Sequence, residues 1–291
     1  MRKYEVIFFD WDGTAVLSRA QPANEVIGAM FPLLMKGVKL AVISGTSYMN
    51  IAGGKLAESF PPPLRANLYL GLGRGANNYN YDEKGDVVAM DGILPDKRTL
   101  SALHRTCFQL HEHMFEQYGY NTDIVFSRDN YCKIDLEPGI KRGDRLYFSG
   151  GELDLLNARL RKHGYFSGIK GLFDLAVFIG EQNELAVKPT TDAKFLEIGL
   201  GTKSDNVDVI MEHLEGERGV DAADCCFWGD EYLEMGKGIF GSDAFMITDK
   251  TFNCDFFDVS DAQGKRPRQV KKLGGGVNRF LSFLQEQSEL A

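Results

Sequence analysis

Cysteine is scarce in this 291-residue chain. There are five, Cys107, Cys132, Cys225, Cys226 and Cys254, an odd number with no CxxC pair. That spacing excludes a disulfide framework and a cysteine-based metal site, and buried free thiols are the expectation. Long apolar runs are also missing, and the longest fall far short of the ~18 residues a membrane helix needs. The "VIFF" stretch behind Arg2 and Lys3 is too short for a signal peptide, so a cytoplasmic location is expected. Positive charge is the third shortage: 33 Lys and Arg stand against 41 Asp and Glu, a net charge of −8. A chain of that sign repels nucleic acid and anionic membrane as generic partners. A small anionic substrate would need a local cation. There is no internal repeat, and the oligomeric state is left open.

What is present is a strand-helix rhythm. "EVIFFD", "KLAVISG" and "NLYLGLG" are short continuous apolar runs, as expected for strands covered on both faces. Between them, Pro22 opens a helical pattern that Gly37 ends, and Ser47 is a candidate N-cap for a helix over 48–60. Such alternation predicts a parallel sheet. From residue 77 the pattern turns to hairpins and amphipathic helices, beginning with "NNYNYDEKGDVVAM" around Glu83-Lys84-Gly85. From "KFLEIG" the parallel rhythm is expected to return, with strands at "DCCFWGDE" and "DAFMIT" and a terminal helix at "VNRFLSFLQEQ". "SDAQGKRPRQVKKLGGG" reads as a solvated loop. The expected fold is α/β: a Rossmann-like parallel core over 1–76 and 190–291, with an inserted α+β cap over 77–189.

Four segments fall at or just after the ends of inferred core strands, where open α/β sheets place ligands. They are "FFDWDGT" with Asp10 and Asp12, "VISGTS" with Ser44 and Gly45, "GTKSDN" with Lys203, and "FWGDEYLEMG" with Asp230, Glu231 and Glu234. Carboxylates as close as Asp10 and Asp12 raise each other's pKa unless a cation lies between them. The pair reads either as an Asp-Gly turn or as a metal-bound catalytic pair. In this order the four segments resemble the haloacid dehalogenase superfamily of aspartate-nucleophile phosphatases. The resemblance covers roughly residues 1–76 and 190–250, and DxDGT at Asp10–Thr14 is its most specific item. The long insertion between Ser44 and Lys203 is similar to a type-two cap. "GRGANNYNYDEKGD" and "FLEIGLGTKSDNVDVIMEHL" resemble the entry to and exit from the cap of the Cof-type, subclass IIB sugar phosphatases. The chain departs from that pattern at Arg74, where the family has Asn, and at Leu233-Glu234, where it has Asn-Asp.

The resemblance implies a Mg²⁺-dependent phosphatase acting on a small phosphorylated metabolite, a sugar phosphate foremost. Asp10 would attack phosphorus to give an aspartyl-phosphate, and Asp12 would hand a proton to the leaving alkoxide. Asp10, the main-chain carbonyl of Asp12, and Asp230 would hold Mg²⁺, an ion that prefers oxygen ligands. Ser44, the amide of Gly45, and Lys203 would grip the phosphoryl oxygens. Glu231 and Glu234 are candidates for the outer metal shell, Glu234 being one methylene longer than the family's Asp. Lys188 and Lys194 rival Lys203, which is preferred because it opens a helix with a clear apolar face. Arg142 and Arg145 in "PGIKRGDR" read first as surface and second as substrate contacts. A phosphomutase of the same superfamily, or a catalytically weak sugar-phosphate-binding protein, are the alternatives. "GLGRGA" precedes a hairpin rather than a helix, against a dinucleotide loop, and His111 and His113 lack the i, i+4 spacing of a zinc helix.

Overall fold

Val6–Phe9 form strand β1, and all four side chains are buried because alternate residues enter two different cores. In the computed structural model, which describes residues 2–141, 151–236 and 238–291, this strand lies inside an eight-stranded sheet. Its parallel neighbours are β2 (Lys39–Ser44) and, on the other side, β10 (Cys225–Gly229). Beyond β2 come β3 (Leu68–Leu72), β4 (Asn77–Tyr81) and β5 (Val87–Met90); beyond β10 come β13 (Asp255–Asp258) and β14 (Val270–Lys272). All pairings are parallel except β3 with β4 and β4 with β5. Helices α1 (Asn24–Met35) and α7 (Gly276–Leu290) cover one face through Val26, Met30, Phe280 and Phe283. Helix α6 (Lys203–Arg218) covers the other with Val207, Ile210, Met211 and Leu214. The chain leaves β1 toward β2 on one side and reaches β10 on the other, so a crevice opens at the carboxyl end of β1.

A second, antiparallel sheet has the order β6 (Asp123–Val125), β7 (Tyr131–Asp135), β9 (Phe195–Gly199), β8 (Lys188–Thr191). Period-two alternation decides its faces. Cys132, Ile134, Leu196 and Ile198 point into a core built with α3 (Lys97–Tyr118), α4 (Glu152–Lys162) and α5 (Gly168–Gln182). Tyr131, Lys133, Thr191 and Glu197 line a cavity shared with the crevice of the large sheet. Short α2 (Pro62–Arg65) and the hairpin β11 (Glu234–Gly236) with β12 (Ile239–Phe240) complete the elements.

The sheets divide at points other than the expected boundaries. The hairpin β4–β5 extends the large sheet as an antiparallel edge, a common addition to parallel sheets. "KFLEIG" does not return to parallel pairing: it is β9, bonded antiparallel to β7 and β8. The expected helix over 48–60 is three short 3-10 turns, broken where Gly53 and Gly54 adopt positive φ. "DAFMIT" is a 3-10 turn (Ser242–Met246) rather than a strand. The basic loop contains β14, and its Arg266 pairs with the fully buried Asp258. All five cysteines are free and buried. Among the described residues, no helix is long and apolar enough to cross a membrane.

Candidate active site

β1 runs straight into Asp10, whose amide continues the ladder to the Trp228 carbonyl. The carboxylate is therefore fixed by sheet geometry at the crevice. Lys203, first residue of α6, reaches it with Nζ 2.7 Å from Asp10 Oδ1. The lysine is held there by the start of its helix, where Thr202 and Asp205 form a reciprocal capping box. The rival lysines are engaged elsewhere, Lys188 by Asp205 and Lys194 by Asp135. Ser44 ends β2, and Ser44, Gly45, Asp10, Asp12 and Lys203 line one cavity of about 90 Å³. Asp12 accepts a hydrogen bond from Arg19 at 2.6 Å through Oδ2, while its Oδ1 is buried without a partner.

Asp230 follows β10, and Thr14 donates to its Oδ1 at 3.0 Å. Gly13 makes that approach feasible: at φ +88° a Cβ there would stand 2.3 Å from Asp230 Oδ2. The sequence reading missed Asp243. It is fully buried, accepts from Lys203 at 2.6 Å, and takes the amides of Asp230 and Glu231 on its other oxygen. No local signal marks it, because the turn that presents it resembles a strand in sequence. Glu231 also lines the cavity and accepts from Ser242. Glu234, expected near the metal, is turned away: it accepts from the Gly238 amide and faces Lys265 at 3.9 Å. The additional carboxylate at this site is thus Asp243, not Glu234. Arg142 and Arg145 lie outside the described residues.

Carboxylate oxygens of Asp10, Asp230 and Asp243 lie within 4.8 Å of one another. Asp243 Oδ2 takes two amides and Oδ1 one bond from Lys203, so Oδ1 keeps a lone pair and all three acids remain able to offer an oxygen to a cation. Burial pushes Asp10 up to about 7 against the pull of Lys203, and burial with Asp192 and Asp243 pushes Glu231 to about 8. Asp230 is raised well above the carboxylate range, again chiefly by burial and next by Asp243. Lys203 is the cation bonded to Asp10 and Asp243, Asp230 has no ion pair among the described residues, and hard oxygen donors suit a divalent cation such as Mg²⁺.

The second sheet closes over this crevice. Arg74, which stands where the resembled family has Asn, is 3% exposed at φ +58°. Its guanidinium donates to Glu197 Oε2 and to the Lys188 carbonyl, both at 3.2 Å, and lies 5.1 Å over the Tyr131 ring. Lys133 pairs with the other Glu197 oxygen at 2.6 Å, and the Tyr131 hydroxyl donates to the Gly45 carbonyl at 2.7 Å.

No protein-family model matches the chain, and no curated protein matches it. Solved structures do. An N-terminally truncated IMP-nucleotidase of Plasmodium falciparum superposes with a TM-score of 0.57 at 14% identity, over 99% of this chain and 71% of that one. A trehalose-6-phosphate phosphatase of Aspergillus fumigatus gives 0.54 at 14%, over 99% and 94%. At these identities the likeness establishes that the chain shares their fold, a parallel-sheet α/β core carrying a second, smaller sheet.

Proposed function

We propose that this chain is a phosphoric monoester hydrolase of the haloacid dehalogenase type, acting on a small phosphorylated metabolite. The observation that carries the reading is the convergence at the end of β1. Asp10 is held by Lys203 at 2.7 Å, with Asp12, Ser44 and Gly45 on the same cavity. The fold neighbours support it, being named for acting on IMP and on trehalose 6-phosphate, both small phosphate monoesters. A cavity of about 90 Å³ suits a small leaving group.

In this reading Asp10, through the oxygen that Lys203 leaves free, forms a bond to phosphorus as the bond to the leaving oxygen breaks. Asp12 gives its proton to that leaving alkoxide, with Arg19 bonded to its Oδ2. It then takes a proton from the water that hydrolyses the aspartyl-phosphate. Ser44, the Gly45 amide and Lys203 bind the phosphoryl oxygens as charge shifts among them. Mg²⁺, held by Asp10, Asp230 and the Asp12 carbonyl, would supply further charge neutralisation.

A phosphate-release screen over phosphorylated metabolites, with Mg²⁺ or with a chelator, tests the assignment. Asp10→Asn and Asp12→Asn should each abolish turnover while keeping the melting temperature within a few degrees of wild type. Full activity in pure Asp10→Asn protein would overturn it.

A further inference from the structure

Arg128 lines the same cavity as Asp10 and Lys203, on the loop between β6 and β7. Its Nε is buried without a hydrogen-bond partner, and its side chain makes no ion pair among the described residues. The other arginines and lysines of that cavity are all engaged. Arg19 bonds Asp12 and Thr46, Arg74 and Lys133 share Glu197, and Lys203 serves Asp10 and Asp243. The sequence neighbour of Arg128, Asp129, forms no ion pair with it and accepts from the Asn77 side-chain amide instead. The Arg128 Nε itself is closed to a ligand, but the rest of the guanidinium bonds no protein acceptor among the described residues and lines the cavity, so its donors are open to an anion there. A planar fork of donors is matched best by a carboxylate or phosphate.

We propose that Arg128 is an anion subsite on the second sheet, so that the preferred substrate is a phosphate monoester whose leaving group carries a second anionic group. This rests on the phosphatase reading: the transferred phosphoryl sits at Asp10, and the second anion sits at Arg128. Its recognition explains a free arginine in a cavity where Lys133 and Arg74 are already tied down by one carboxylate. The two chemistries that fit are a carboxylate and a second phosphate.

Matched substrate pairs separate them. Glycerol 3-phosphate against 3-phosphoglycerate reports on a carboxylate, and glucose 6-phosphate against glucose 1,6-bisphosphate reports on a phosphate. The wild type should favour the charged member of at least one pair in kcat/KM. In Arg128→Gln that preference ratio should fall by about tenfold or more, with Arg128→Lys in between. A ratio cancels any difference in the fraction of folded enzyme. An unchanged ratio in both pairs overturns the subsite. If the wild type hydrolyses none of the four compounds, the wider phosphate-release screen decides the phosphatase reading separately. Calorimetric binding of the same compounds then decides the subsite. Arg128→Gln weakening the charged member selectively by about tenfold supports it, and equal weakening of both members, or of neither, refutes it.

Discussion

Replacing Glu197 by glutamine measures how far the join between the two sheets is electrostatic. Burial alone would push this carboxyl up, but Lys133 and Arg74 outweigh it and hold it at about 2, against an ordinary 4.5. The side chain is only 17% exposed, so solvent screens little of the attraction. At roughly 1.4 kcal/mol per pH unit, the lowering is worth about 3 kcal/mol at neutral pH. A carboxyl held below its unfolded value stabilises the fold fully above pH 4.5, and the contribution fades as pH falls toward 2. Glu197→Gln should therefore be less stable than wild type by about 3 kcal/mol at pH 7 and about 2 kcal/mol at pH 3.5. Urea unfolding at both pH values, followed by fluorescence of the buried Trp11 and Trp228, gives the two gaps. Equal gaps, or a gap under about 1 kcal/mol at pH 7, would refute the reasoning and rank this pair with surface ion pairs. The exposed Arg98–Glu184 pair is the control, and Glu184→Gln should leave the unfolding midpoint unchanged.

Two further outcomes follow from the same geometry. Arg266→Met strands the fully buried Asp258 and should cost about 3–5 kcal/mol in urea unfolding, because one partner of a buried pair is left uncompensated. Of Lys203→Met, Lys188→Met and Lys194→Met, the first alone should weaken inorganic phosphate binding, by about tenfold to a hundredfold in calorimetry. Equal weakening by Lys188→Met would mean that Asp205 does not hold that lysine away from the site.

Local pattern carried most of the sheet and much of the site. Four buried apolar residues ending in Asp10 dictate a covered strand with a carboxylate at its tip, and the structure brings Asp12, Ser44, Gly45, Lys203 and Glu231 to one cavity with it. What local pattern could not carry is pairing partner and facing. The antiparallel hairpin β4–β5 reads identically whether it belongs to an insert or to the edge of a parallel sheet. Alternation in β7 and β9 tells which side chains enter the core, yet Lys133 and Glu197 gain a role only because their face is turned toward β1.

Asp243 and Glu234 show the limit most sharply. In sequence, Glu234 has the better claim, four residues after Asp230 in a segment that already ends a strand. In space, the β11–β12 hairpin carries Glu234 off to Gly238 and Lys265, and the chain returns through Ser242–Met246 to place Asp243 beneath Lys203. Asp243 also takes the amides of Asp230 and Glu231, so the same carboxylate orients the lysine and the turn bearing the neighbouring acid. Three bonds on its two oxygens fix its orientation. An acid in that position orders the lysine and the neighbouring acids in space, a role that chain distance from Asp230 conceals.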